Sequence, residues 1–116
     1  MHVASIILSV VLALELAFTG SIKVLNTKMA QDNAAHLGVS TQRFRLIGVA
    51  ELAAVVGLLA GIFIKPLAIV TAAAVCLLMA GALGYHAKAR DKVPAMLPAI
   101  VTEIAAIAVL VLTVLA

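Results

Sequence analysis

Charge is scarce in this chain of 116 residues. Eight Lys or Arg and five Asp or Glu residues make up 11% of the sequence, whereas a soluble domain carries about 25%. Tryptophan is absent and tyrosine occurs once. The single cysteine, Cys76, excludes a membrane enzyme that works by disulfide exchange, because such enzymes need paired cysteines. So few charges do not cover a water-facing surface, and the composition therefore excludes an ordinary soluble domain.

Apolar residues fill the sequence instead: 66% are hydrophobic and the mean hydropathy is +1.27. They gather in four blocks, for which we predict helices at about 3–22, 44–64, 66–86 and 94–116. At a rise of 1.5 Å per residue each helix spans about 30 Å, the thickness of the hydrocarbon core of a bilayer. The sequence therefore predicts an all-α fold, an integral membrane four-helix bundle that forms a single transmembrane domain over residues 1–116.

The connection between the first two predicted helices, residues 24–43, is polar. Ser40 or Thr41 is predicted to cap the second helix, because a side-chain oxygen at that position accepts from the first free backbone N–H groups. Apolar residues recur at helical spacing between positions 29 and 37, which favours a short helix on the membrane surface. A solvated loop is the alternative that the same composition allows.

The basic residues predict the topology. Seven of the eight Lys and Arg residues flank two connections on the same side of the membrane, while Lys65 lies on the other side. The positive-inside rule places those connections in the cytoplasm and both termini outside the cell. Basic residues with interleaved aromatics, which a nucleic-acid-binding surface needs, do not occur, so we expect no nucleic-acid partner.

Three of the five acidic residues lie inside the apolar blocks, where a charge is costly and most often functional. Glu15, Glu51 and Glu103 are each about 9–13 Å from the predicted cytoplasmic end of their helices, and His86 lies at the same end of the third. We predict that these four form one polar layer that binds a ligand or exchanges protons. Three basic residues are predicted to moderate its charge from the rim: Lys23, Arg45 and Arg90. The alternative is purely structural, with protonated or ion-paired carboxylates that fix the helix packing.

Small residues at four-residue spacing predict close helix contacts, within the bundle or between protomers. Gly57 and Gly61 form such a pair on the second predicted helix, and Ala80 and Gly84 form one on the third. We therefore expect a homo-oligomer or a heteromeric membrane complex. A metal site is not expected, because no Glu-x-x-His pair occurs.

Several segments resemble one family of membrane proteins. LAFTGSIKVLN (16–26) is similar to the end of the first helix in the DoxX-like family, and IGVAELAAVVGLLAG (47–61) resembles the second helix. LLMAGALGYHAKARDK (77–92) resembles the third helix with its closing His and charged turn. The resemblance implies a compact four-helix protein of the bacterial plasma membrane. It also implies kinship with membrane subunits of quinone-linked oxidoreductases.

These observations lead to one functional prediction and two alternatives. We predict a non-catalytic membrane subunit that binds a lipophilic ligand, such as a quinone, in a carboxylate-lined pocket and supports a redox complex. The residues themselves require no cofactor, and an electron carrier would come from a partner. A proton-coupled small-molecule transporter is the first alternative, since small multidrug resistance transporters share this length and a glutamate in helix one. A structural or assembly subunit is the second.

Overall fold

The computed structural model describes residues 3–116, which form five α-helices and no strand. The helices are α1 (Val3–Val24), α2 (Lys28–Leu37), α3 (Thr41–Gly61), α4 (Lys65–Lys88) and α5 (Val93–Leu115). Four of them, α1, α3, α4 and α5, have 21 to 24 residues and are long and apolar enough to cross a membrane. The predicted all-α fold with four membrane-spanning helices is confirmed.

The surface of the four long helices is apolar on the side that faces away from the bundle. Leu77 of α4 is 76% exposed and Leu14 of α1 is 68% exposed, and many other large hydrophobic side chains are similarly open. In water such a surface would drive association. In a bilayer lipid tails cover it, so the structure is that of an integral membrane protein.

Local signals explain where the helices begin and end. Helix α3 begins at Thr41, three residues before the predicted start, because the side chain of Ser40 accepts a hydrogen bond from Arg43 N at 3.2 Å. Pro66 lies in the first turn of α4, where a missing N–H costs nothing. Helix α4 continues to Lys88, two residues past the predicted end.

The polar connection contains a helix, α2, so the alternative of a solvated loop over this whole segment is wrong. Thr27 caps α2 by accepting from Ala30 N at 3.2 Å, and Gly38 ends it in the left-handed conformation with φ 73°. Ala30 and Ala34 are 1% and 0% exposed, and Phe44 of α3 belongs to the same apolar cluster. Helix α2 therefore packs on one end of the bundle rather than standing free in solvent.

The four long helices form a ring in which α1 contacts α3 and α5, and α4 contacts the same two helices. Leucine and valine side chains from every helix of the ring fill its centre, with Leu12, Leu58, Val75 and Val109 at most 1% exposed. The ring leaves α1 and α4 opposite one another, which creates the space described below.

Four glycines bring helices close together: Gly20, Gly48, Gly57 and Gly61. A Cβ atom at Gly61 would lie 2.8 Å from Ala68 Cα of α4, and one at Gly57 would collide with Thr71 of the same helix. The Gly57 and Gly61 pair thus packs inside the chain. Gly20 of α1 packs on the backbone of α3 in the same way, a contact that the spacing did not reveal.

The other small-residue pair does not pack within the chain. Ala80 and Gly84 are exposed on α4, and a Cβ atom at Gly84 would meet no heavy atom of another element within 4 Å. Packing of this pair inside the bundle is therefore wrong for the described residues 3–116. Its packing between protomers stays a prediction.

Candidate functional site

A cavity of about 530 Å³ lies at the end of the bundle where α2 packs. All five helices contribute to its wall, which is mainly apolar. Four ionisable side chains that the sequence singled out reach it: Glu15 and Lys23 from α1, Glu51 from α3, and His86 from α4. The structure thus brings three of the four predicted layer residues, and one of the three rim charges, to one cavity.

Glu51 is the most deeply buried of these groups, with 1% of its side chain exposed. Lys23 Nζ lies 2.5 Å from its Oε1, and Thr19 Oγ1 donates to its Oε2 at 2.9 Å. Thr19 and Lys23 are four residues apart and therefore share one face of α1. The Lys23 ammonium also lies 5.2 Å from the centroid of the Phe44 ring, within cation–π range. Each charge of the pair is thus compensated inside the bundle.

Glu15 has a different kind of partner. Thr102 of α5 donates a hydrogen bond to Glu15 Oε1, and the same hydroxyl lies 2.7 Å from the carbonyl oxygen of Pro98. A hydroxyl has one proton, so the two acceptors share it. No cation pairs with Glu15, and no hydrogen bond joins it to Glu51, among the described residues 3–116. The two carboxylates share a cavity, but each has its own partners.

Glu103, which was predicted to join the other three, is not among the residues that line this cavity. Its side chain lies beside the thiol of Cys76 on α4. Successive helical residues are about 100° apart around the axis, so the inward direction of Thr102 turns Glu103 away from the cavity. Thr102, rather than Glu103, therefore lines the cavity from α5.

His86 is held by a residue that the sequence analysis did not single out. Asp91, in the turn after α4, accepts from His86 Nδ1 through Oδ2 at 2.6 Å and lies 2.5 Å from His36 Nε2 of α2 through Oδ1. Hydrogen bonds from His86 and His36 hold the pKa of Asp91 below its ordinary value of 3.8. Asp91 therefore ties α2 to the end of α4, and both histidines line the cavity.

The backbone of the same turn explains how Asp91 reaches both rings. Arg90 has φ 58°, the left-handed conformation that usually ends a helix at glycine. The turn closes with Asp91 N donating to His86 O at 3.0 Å. This reversal brings the Asp91 side chain back beside the last turn of α4.

The other two predicted rim charges do not reach a carboxylate. Arg90 is exposed and contributes its backbone conformation rather than its charge to the site. Arg45 is also exposed, and its Nε donates to the carbonyl oxygen of Val24 at 3.2 Å. It satisfies a free carbonyl at the end of α1, where a cation also stabilises the helix dipole. Of the three predicted rim charges, Lys23 is the one that contacts a carboxylate of the cavity within residues 3–116.

Two residues of the site, Thr102 and Asp91, were not singled out from the sequence. Ala95, Pro98, Ala99 and Thr102 follow the i, i+3, i+4, i+7 spacing of one helix face and line the cavity, but the other faces of α5 are also apolar, so this spacing did not distinguish Thr102. No sequence pattern pointed to Asp91, because only the folded turn brings its side chain to the histidines. Within residues 3–116, no three His, Cys, Asp or Glu side chains form a group that could hold a metal ion.

Comparison with known proteins completes the description. The sequence profile of the DoxX-like family matches residues 7–115, which is nearly the whole chain. A search of curated proteins and a search of solved structures each gave no significant match. The family match confirms the resemblance seen in three helices of the sequence. The chain belongs to the DoxX-like family.

Proposed function

We propose that this protein is a non-catalytic membrane subunit that binds a lipophilic ligand, such as a quinone, in the cavity between α1, α4 and α5 and supports a redox complex. One observation carries the proposal: an apolar cavity of about 530 Å³ with a few convergent ionisable groups lies inside a membrane bundle. Pockets for small ligands typically measure about 300–1,000 Å³ and combine apolar walls with a few polar groups.

The position of the cavity supports a ligand that arrives through the membrane. Leu77 of α4, which is 76% exposed, and Gly81 and Pro98, which are also exposed, belong to its wall. The wall thus continues into the lipid-facing surface. A ligand with an apolar tail would keep its tail in lipid while its ring enters the polar end of the cavity.

The ionisable groups support a role in proton exchange at the ligand. Glu15 and His86 both line the cavity, and each is a residue type that accepts or donates protons near neutral pH when its surroundings allow. The redox chemistry belongs to the ligand and to a partner enzyme. In the bacterial plasma membrane the subunit would form either a homo-oligomer or a heteromeric complex with that partner. Native mass spectrometry of the gently solubilised protein would measure the protomer number and the bound partners.

Two glycines of α4 offer a matched test of ligand binding. Gly81 and Gly84 are both exposed, and a Cβ atom at either position would meet no other element within 4 Å, but only Gly81 lines the cavity. Gly81→Leu should fill the cavity without a clash and weaken binding of a decyl-benzoquinone at least about tenfold. Gly84→Leu should leave the affinity unchanged.

Isothermal titration of the purified protein in detergent measures both affinities. Equal affinities in Gly81→Leu and Gly84→Leu would place the ligand elsewhere on the protein. Absence of quinone binding to the unmodified protein would refute the proposed function itself.

A further inference from the structure

We propose that α2 is a lid that separates the polar groups of the cavity from water, and that the contact between His36 and Asp91 is the latch that keeps this lid closed. The lid itself follows from the packing of α2. Its role, which is to control the access of water and protons to a bound ligand, rests on the proposed function.

Helix α2 closes one end of the cavity. Asn33, His36 and Leu37 of α2, and Val39 just after it, line the wall. The helix connects the ends of two membrane-spanning helices, α1 and α3, and therefore lies at the membrane surface. The lipid-facing part of the wall belongs instead to α4 and α5. The cavity thus has a lipid border, through which an apolar ligand enters, and an aqueous border that α2 forms.

The hold of α2 on the bundle is small. A helix of ten residues is not stable by itself, so its contacts with the bundle keep it in place. The buried residues of its inner face are two alanines, Ala30 and Ala34, and each contributes one methyl group to the apolar contact. Within residues 3–116, His36 is the residue of α2 whose side chain hydrogen-bonds beyond the ends of its own helix.

The backbone on either side of α2 has the form of two hinges. Asn26, before the helix, has φ 53°, and Gly38, after it, has φ 73°. Both values lie in the left-handed region, where the chain turns sharply. Hinges are a few residues at the ends of an element that absorb a change in φ and ψ. A helix between two such turns moves as one body when its contacts are released.

The latch has one fixed side and one mobile side. The Asp91 side chain is 8% exposed, and its Oδ2 lies 2.6 Å from His86 Nδ1 of α4. The backbone N–H of Asp91 also donates to the carbonyl oxygen of His86. His36 Nε2 lies 2.5 Å from Asp91 Oδ1, yet the His36 side chain is 59% exposed. Loss of the His36 contact therefore frees α2 and leaves Asp91 attached to α4.

The test measures how fast a water-soluble thiol reagent reaches the cavity in lipid nanodiscs, with no ligand added. Ala99, half-buried on α5, lines the cavity and is replaced by cysteine in a Cys76→Ala background. An anionic and a cationic methanethiosulfonate are compared. Opening of the lid accelerates both reagents, whereas a change in local charge accelerates one and slows the other.

His36→Leu keeps a side chain of similar size and removes the latch. We expect both reagents to label Ala99→Cys about tenfold faster, the effect of one hydrogen bond to a charged group on the population of the open form. Asp91→Leu should give at least the same increase, and adding His36→Leu to it should give no further acceleration, because both changes break one contact. Asp32→Asn, exposed on α2 and outside the cavity wall, should leave the rate unchanged.

A second cysteine position separates opening of the lid from a general loosening of the bundle. Ala105 is half-buried on the same helix but does not line the cavity, so Ala105→Cys should react slowly in every background. Equal labelling of Ala99→Cys with and without the latch would overturn this inference. Acceleration of one reagent alone, or equal acceleration at position 105, would overturn it as well. None of these measurements needs a quinone, so the lid and the proposed function are tested separately.

Discussion

Replacing Lys23 with methionine removes one partner of a buried ion pair and leaves the other. Glu51 is 1% exposed and receives hydrogen bonds from Lys23 at 2.5 Å and from Thr19 at 2.9 Å. In Lys23→Met only the threonine hydroxyl remains, so an ionised Glu51 would be buried without a counter-charge. We expect the variant to fold with a clearly reduced free energy of unfolding.

The size of the loss follows from the burial of the pair. Breaking a buried ion pair by removing one partner costs about 3–5 kcal/mol. Lys23 retains 16% exposure and Thr19 still donates to Glu51, so we expect a value near the lower limit, about 3 kcal/mol.

Unfolding by sodium dodecyl sulfate in mixed micelles, followed by circular dichroism, measures the lost free energy of unfolding. Lys23→Met/Glu51→Gln should recover most of the stability, because no buried charge is left. Lys88→Met, at an exposed position at the end of α4, is the matched control and should change little. A Lys23→Met protein that is as stable as the control would refute the reasoning, and so would a double variant less stable than the single one.

Three further predictions concern the helix contacts, the attachment of α2 and the topology. Gly61→Ala should lose about 1–3 kcal/mol of stability in the same unfolding assay, because its Cβ would lie 2.8 Å from a backbone Cα atom of α4, whereas Gly84→Ala enters open space and should change stability little. Equal stabilities would contradict the close packing. The contribution that Asp91 makes to stability should be present above 3.8, the ordinary pKa of its carboxyl group. It should be lost as the pH falls through the pKa of this group in the folded protein, which is lower. Asp91→Asn should therefore expose α2 to limited proteolysis already at neutral pH, and cleavage equal to that of the unmodified protein would contradict this role. Ala35→Cys, exposed on α2, in a Cys76→Ala background should react with an impermeant thiol reagent only from the cytoplasmic side, and labelling of intact cells would reverse the predicted topology.

The candidate site was only partly predictable from the sequence. Glu15, Glu51, Lys23 and His86 were found because an ionisable residue in or beside an apolar block is conspicuous. Glu103 was equally conspicuous but does not line the cavity, while Thr102 was overlooked. The apolar helices give little rotational information, because lipid-facing and core-facing residues are both apolar, so periodicity does not reveal which side of α5 faces inward.

The sequence by itself determined the class of the protein. Four apolar blocks of about 20 residues with few charges indicate an all-α membrane protein. Within a bilayer a helix satisfies its backbone polar groups by its own hydrogen bonds, so each block spans the membrane as a helix. The four-residue spacing of small residues did not determine the helix contacts by itself, because Gly57 and Gly61 pack on α4 whereas a Cβ atom at Gly84 would meet no other element within the described residues.

Only the tertiary structure decided how the polar groups are paired. It joined Lys23 to Glu51 and Thr102 to Glu15, and it brought Asp91 back to His86 through a left-handed turn. Each of these contacts depends on the rotation of a helix about its axis or on the direction of a turn. Contacts between distant parts of the chain set both, and no local pattern in the sequence specifies them.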